Sequence, residues 1–348
     1  MLKSATPAVA PDAPSTRPAL SASARLRAGL ERTGILLVLA ALVVVFTVNE
    51  PAFLNVDNLF SILQAVSIVA LLGIGVTITL AAGGFDLSVG SIAASAQMAA
   101  SYVLVVWHGS ALAAVAACVA LGVAAGLFNG VLITRLRVPD QLATLGTLFL
   151  LAGLQLIPTG GRSLATGSVL PDGTEASGMF PDAFLALGRL RVFDVVPLPV
   201  LILAAVTVLA CVAMEATRWG RVIYAIGGNE TAARLAGAPA ARYRVAAYVV
   251  SGAIAALGGV LISARVGRGD VSAGHSLLLD AVAAALVGYA VWGAKRPNVV
   301  GAVFVGVLLN GLTMLNAPYY LQDFVKGALL VLALAFTFGI GRRADARA

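Results

Sequence analysis

Charge is scarce in this sequence. Of its 348 residues only 11% are Asp, Glu, Lys or Arg, where a soluble domain carries about 25%. Cysteine is nearly missing. Cys118 and Cys211 both fall in apolar runs, which leaves no basis for a disulfide framework or a thiolate metal centre. Histidine is as rare: His108 and His275 stand apart, with no His-Glu-x-x-His pairing. No Gly-x-Ser-x-Gly elbow occurs, so the nucleophile turn of a hydrolase is absent. Nor is there a Gly-x-x-x-x-Gly-Lys-Ser/Thr loop to cradle phosphates; Lys3, Lys295 and Lys326 all lack that context. The chain does not hydrolyse ATP alone, and nothing in it calls for a metal or a cofactor.

What is present is hydrocarbon. Hydrophobic residues make up 60% of the chain, in blocks of about 17–25 residues, the length that crosses a bilayer core. No sustained alternation of apolar and polar residues suggests a barrel. The expected class is all-α and polytopic, with spans near 34–49, 59–82, 89–107, 111–134, 140–158, 196–214, 244–265, 277–293, 298–316 and 320–338. Residues 1–33 are rich in Ala, Pro, Ser and Arg and read as a disordered cytoplasmic segment.

The net charge of +7 reflects topology rather than a nucleic-acid partner. Seventeen of the 23 Lys and Arg residues fall in one alternate set of connections, Arg135, Arg137, Arg218, Arg221 and Arg234 among them. The other set holds Arg162, Arg189, Arg191, Arg265, Arg268 and Lys326. Cytoplasmic loops hold the excess, so both termini, including the 341–348 tail, are expected inside. That leaves a long outer loop at 159–195 and a long inner loop at 215–243.

The chain also repeats itself. At a shift of 184, residues 75–90 lie over 259–274 with seven identities in sixteen, among them Gly83/Gly267, Asp86/Asp270 and Ser88/Ser272. Asn129-Gly130 echoes Asn310-Gly311 at a shift of 181. The first copy enters by an inward span and the second by an outward one, so the repeat is expected to be inverted, as in many transporters.

Residues 83–91, GGFDLSVGS, interrupt the apolar sequence with three glycines, a carboxylate and two hydroxyls. A charge near the bilayer centre costs roughly 3 kcal/mol or more, so Asp86 must meet water or a partner. It reads either as a cap for the following helix or, with Gly83, Gly84 and Ser88, as part of a pathway or gate. Asn129 and Asn310 read as bonds between helices or as the lining of a polar path. In the inner loop, Asn229 can cap a short helix, Glu230 suits its first turn and Gly237 its end. Asn229, Glu230, Ala233, Arg234 and Gly237 thus mark either a solvated connector or a knob for a cytoplasmic partner. A second turn is expected over 239–244.

With GGFDLSVGS at 83–91, IYAIGGNETAARLAG at 223–237 and YVVSGAIAALGGVLISARVG at 248–267, the chain resembles the permease subunits of ATP-binding-cassette importers of the ribose, xylose, arabinose and galactose type. Phe85 stands where that family usually has Ile. The resemblance implies a bacterial plasma membrane and a second permease copy or paralogue. It also implies two cytoplasmic ATP-binding subunits, and a solute-binding protein outside. By the same resemblance, residues 229–237 would be the coupling helix. An ion-driven secondary transporter is the rival class; it would need coupled carboxylates, for which Asp86, Asp280, Asp140 and Asp270 are the candidates.

Overall fold

The computed structural model describes residues 37–292 and 300–345. The expected N-terminal segment 1–33 lies outside them, as do Lys295, Arg296 and the last three residues of the tail. Helix α1 runs Leu37–Asn49, α2 Val56–Ala81, α3 Val89–Ser101 with a π-helical turn to Val106, α4 Ala111–Thr134 and α5 Asp140–Leu154. Then come α6 (Asp182–Arg189), a ribbon of β1 (Arg191–Val192) and β2 (Val196–Pro197), α7 (Leu198–Cys211), α8 (Arg218–Gly228) and α9 (Glu230–Leu235). The last four are α10 (Ala240–Val266), α11 (Ala273–Trp292), α12 (Val300–Met314) and α13 (Tyr319–Asp345).

Each expected span has a helix at its place. Among the described residues six are long and apolar enough to cross a membrane: α2, α3, α4, α5, α7 and α10, counting their π or 3₁₀ extensions. Side chains mark where several begin. Asn55 Oδ1 accepts from the Asp57 N–H at 3.3 Å before α2, and Ser110 Oγ from the Ala113 N–H at 3.2 Å before α4. One expectation is corrected. Residues 239–244 do not form a separate turn; α10 starts at Ala240, directly after Pro239, because nothing between Ala240 and Val266 breaks a helix.

Helix α3 sits at the centre, buried on all sides from Val89 to Gln97. Helix α10 packs on α4, α3 and α2, while α2 packs in turn on α12 and α11. Gly84, just past the end of α2, lies on Tyr248 near the start of α10. The start of α2 (Gln64) bonds Gly188, which lies against Arg265 at the end of α10. The two repeat-leading helices are therefore antiparallel, as an inverted repeat requires. The copies meet at equivalent glycines: a Cβ on Gly90 would overlap the carbonyl of Gly274.

Helix α4 approaches α10 through Gly122, Gly126 and Gly130, spaced four apart on one face. Without Cβ atoms the backbones come close enough for packing to hold them, the small-residue interface of membrane helices. At Gly126 a Cβ would stand 2.7 Å from the Val249 Cα, and backbone cannot step aside. Gly126→Leu is expected to lower stability by about 1–3 kcal/mol, read as a drop in the thermal unfolding midpoint in detergent. Gly153→Leu, with open space around Gly153, is the control that should not move it.

The 159–195 loop is ordered. Leu164 and Gly269 exchange backbone hydrogen bonds at 2.9 and 2.8 Å, and Gly178 N–H donates to the Val105 carbonyl at 2.9 Å. Within this loop, α6 buries Phe184 completely. Within the inner loop, α8 is an addition that the sequence reading did not include.

Candidate functional site

The 82–88 loop is shaped by its glycines. Gly83 takes φ +80°, a conformation open to glycine, and the Gly84 N–H closes back on the Thr79 carbonyl at 2.9 Å. This turn runs the chain against its surroundings with no side chain between. A Cβ on Gly83 would stand 3.2 Å from the Gly227 Cα, at the end of α8. A Cβ on Gly84 would overlap both the Asp140 carboxylate and the Tyr248 hydroxyl.

Asp86 is completely buried, as are Ser88, Asn129 and Ser251. Its Oδ1 accepts from the Ser88 N–H at 2.9 Å and the Ser88 hydroxyl at 2.6 Å. Its Oδ2 accepts from the Ser251 hydroxyl at 2.9 Å. Ser88 Oγ in turn accepts from Asn129 Nδ2 at 2.9 Å, and Asn129 Oδ1 accepts from Thr147 Oγ1 at 2.5 Å. Thr144 Oγ1 reaches the Phe85 carbonyl at 3.2 Å. One Asp–Ser pair thus ties the loop to α4, α5 and α10. Among the described residues no cation pairs with Asp86; its oxygens are satisfied by hydroxyl and amide donors instead.

The second copy makes the same local turn, but among the described residues its Asp–Ser pair reaches no other helix. Gly267 has φ +75°, and Asp270 Oδ1 accepts from the Ser272 N–H and hydroxyl at 2.9 and 2.8 Å. Asp270 is partly exposed beside Arg268 at 3.3 Å, and the Ser272 N–H holds its carboxyl below the usual range. Asn310 departs likewise. It exchanges reciprocal amide bonds of 3.0 Å with Asn58 at the start of α2, so the structure does not bring it to Asp86 with its counterpart Asn129. The repeat extends to backbone geometry, while the buried polar hub belongs to one copy.

The inner loop builds the third feature. Asn229 Oδ1 caps α9 through the Ala232 N–H at 2.9 Å, and Gly237 ends it with φ +85°. Ala233 turns inward, while Leu235 is 86% exposed. Glu230 pairs with Arg234 on its own helix and, at 3.2 Å, with Arg244 of α10. Arg244 Nη2 lies 2.6 and 2.5 Å from the two oxygens of Asp140, which also accepts from the Tyr248 hydroxyl at 2.8 Å. Sequence reasoning missed this cluster. Arg244 counted only toward topology and Asp140 only as an ion-coupling candidate, because 104 residues separate them and no spacing rule links such positions.

The family model for the permease component of branched-chain amino acid transport systems matches residues 58–334. The chain belongs to this permease family. The permease is 36% identical to the ribose import permease protein RbsC of Escherichia coli K12 over 304 residues, covering 86% of this chain and 91% of that one. It is 30% identical to the L-arabinose ABC transporter permease protein AraH of Azospirillum brasilense, covering 90% and 91%. It is also 30% identical to the autoinducer 2 import system permease protein LsrC of Yersinia enterocolitica, covering 88% and 82%. No solved structure matches the chain.

The permease is a multi-pass membrane protein and a transport subunit. Asp280 of α11 faces Lys326 of α13 at 3.1 Å, with both side chains largely buried. Lys326, counted above with the outer connections, sits inside α13.

Proposed function

We propose that the permease forms half of a path by which a monosaccharide enters the cell, in an importer powered by separate ATP-binding subunits. The relatives named for ribose and L-arabinose import support this solute class. A solute-binding protein delivers the sugar to the outer face, which includes the 159–195 loop. A second permease copy completes the path, and both termini lie in the cytoplasm. The ATPase seats on α9, between Asn229 and Gly237. The observation that carries this reading is α9 itself: a capped six-residue helix on the arginine-rich side, presenting the apolar Leu235 outward. A short exposed helix of this kind suits a helix-in-groove contact with a partner.

The test is reconstitution in proteoliposomes with candidate ATP-binding and solute-binding proteins from the same organism. Uptake of ribose, arabinose or xylose is expected only when all three proteins and ATP are present. Uptake by the permease alone would sink the reading. The LsrC relative favours one alternative solute, autoinducer 2; its uptake in place of the sugars would move the assignment to that class.

A further inference from the structure

We propose that Arg244, Asp140 and Tyr248 are positioning residues that couple α9 to the Asp86 hub, carrying a displacement of the inner helix to the loop at the head of α3. The proposal rests on α9 being the point the ATPase grips. It adds the line of side chains by which that grip is felt inside the bundle.

Just before the α9 cap, Gly227 already touches Gly83 by backbone alone; side-chain links from α9 itself are few. Its one buried side chain is Ala233, packed with Ile226 and Ala240. Its firm link to the long helices is the Glu230 carboxylate on Arg244. Arg244 bridges two elements at once, with Nη1 on Glu230 and Nη2 across both oxygens of Asp140. The Arg244 and Asp140 side chains are only 14% and 18% exposed, so solvent and salt weaken this pair less than a surface pair. Tyr248 holds the same carboxylate from one turn along α10.

The line continues inward without a gap. Gly84 lies directly on Asp140 and Tyr248, where a Cβ would overlap both. One further turn along α10, Ser251 holds Asp86. Arg244, Tyr248 and Ser251 follow a four-then-three spacing, which places them on one face of α10. A single stripe therefore touches α9 at one end, the 82–88 loop in the middle and the buried hub at the other end. Movement of Glu230 shifts Arg244 and Asp140 together, and Gly84 has no side chain to absorb the shift.

A simple fold staple would have the same bonds, so the test measures coupling rather than stability. The full transporter, permease with its ATPase subunits and binding protein, is reconstituted, and sugar uptake and ATP hydrolysis are read on the same vesicles. Tyr248→Phe removes one hydroxyl. It is expected to keep permease yield, ATPase co-purification and hydrolysis, while sugar transported per ATP falls about fivefold or more, the lower end of a typical coupling free energy. Arg244→Asp and Asp140→Arg are each expected to uncouple more severely. The double exchange is expected to recover part of the ratio, as a direct pair should. An unchanged ratio in Tyr248→Phe, or uptake and hydrolysis falling in proportion in every variant, would overturn the proposal. If wild-type vesicles show no ATP-dependent uptake, the transport reading fails first and takes this one with it.

Discussion

Asp86→Ala is expected to cut sugar uptake by about tenfold or more at equal permease level, while Asp86→Asn keeps most of it. Alanine strands three buried donors, the Ser88 N–H and the hydroxyls of Ser88 and Ser251, and each orphaned donor costs about 1–3 kcal/mol. Ser88 then loses the acceptor that orients it toward Asn129, and the link through Asn129 to Thr147 loosens as well. Asparagine keeps an oxygen for Ser88, and its amide can donate to Ser251, whose hydroxyl also accepts. The contrast follows from the partners of Asp86, which among the described residues include no cation. Uptake in membrane vesicles, normalised to permease content, decides. Equal loss in both variants would mean that the negative charge itself is required, and the hub would have to be recast as a charged gate. Normal uptake in Asp86→Ala would leave only a dispensable turn.

Ala233→Pro should abolish recovery of the ATP-binding subunit with the permease, by about tenfold or more. The Ala233 N–H bonds the Asn229 carbonyl at 3.0 Å inside α9, and interior proline costs about 3 kcal/mol. A six-residue helix has no reserve against such a loss. Glu230→Pro is the informative companion. Glu230 is the first helical residue, where proline is tolerated, and Asn229 before it is already extended at φ −154° and ψ 99°, which suits a following proline. It should therefore keep α9 and its ATPase while losing the carboxylate that holds Arg244. Pull-down of the tagged permease, with insertion checked by membrane fractionation, reads both. Full recovery with Ala233→Pro would remove α9 as the docking element.

The GGFDLSVGS stretch marked the site in the sequence because glycine, carboxylate and hydroxyl are costly in hydrocarbon. The cost does not say how it is met. Capping and a gate were both open for Asp86; the bonds from Ser88 close a turn before α3 rather than cap it, since the cap residue is Ser88 and it makes no side-chain capping bond, while the bond from Ser251 adds a tertiary anchor. Asn129 and Asn310 look alike in sequence, yet one joins the hub and the other pairs with Asn58. The difference lies in which helix each faces, a matter of packing that a local motif does not encode.

The amino-acid sequence by itself determined the membrane class, the places of the long helices, the inverted repeat and the capped helix at 230–235. These depend on hydrophobic length, on Gly, Asp and Ser at fixed offsets and on local backbone preference, which short windows carry. Only the tertiary structure decided that Asp140, Arg244 and Tyr248 meet, that Gly84 rests on them, and that a buried polar hub occupies one copy of the repeat. Those contacts span up to 165 positions, and they exist because the helices pack together and bring side chains remote in the chain within hydrogen-bonding range.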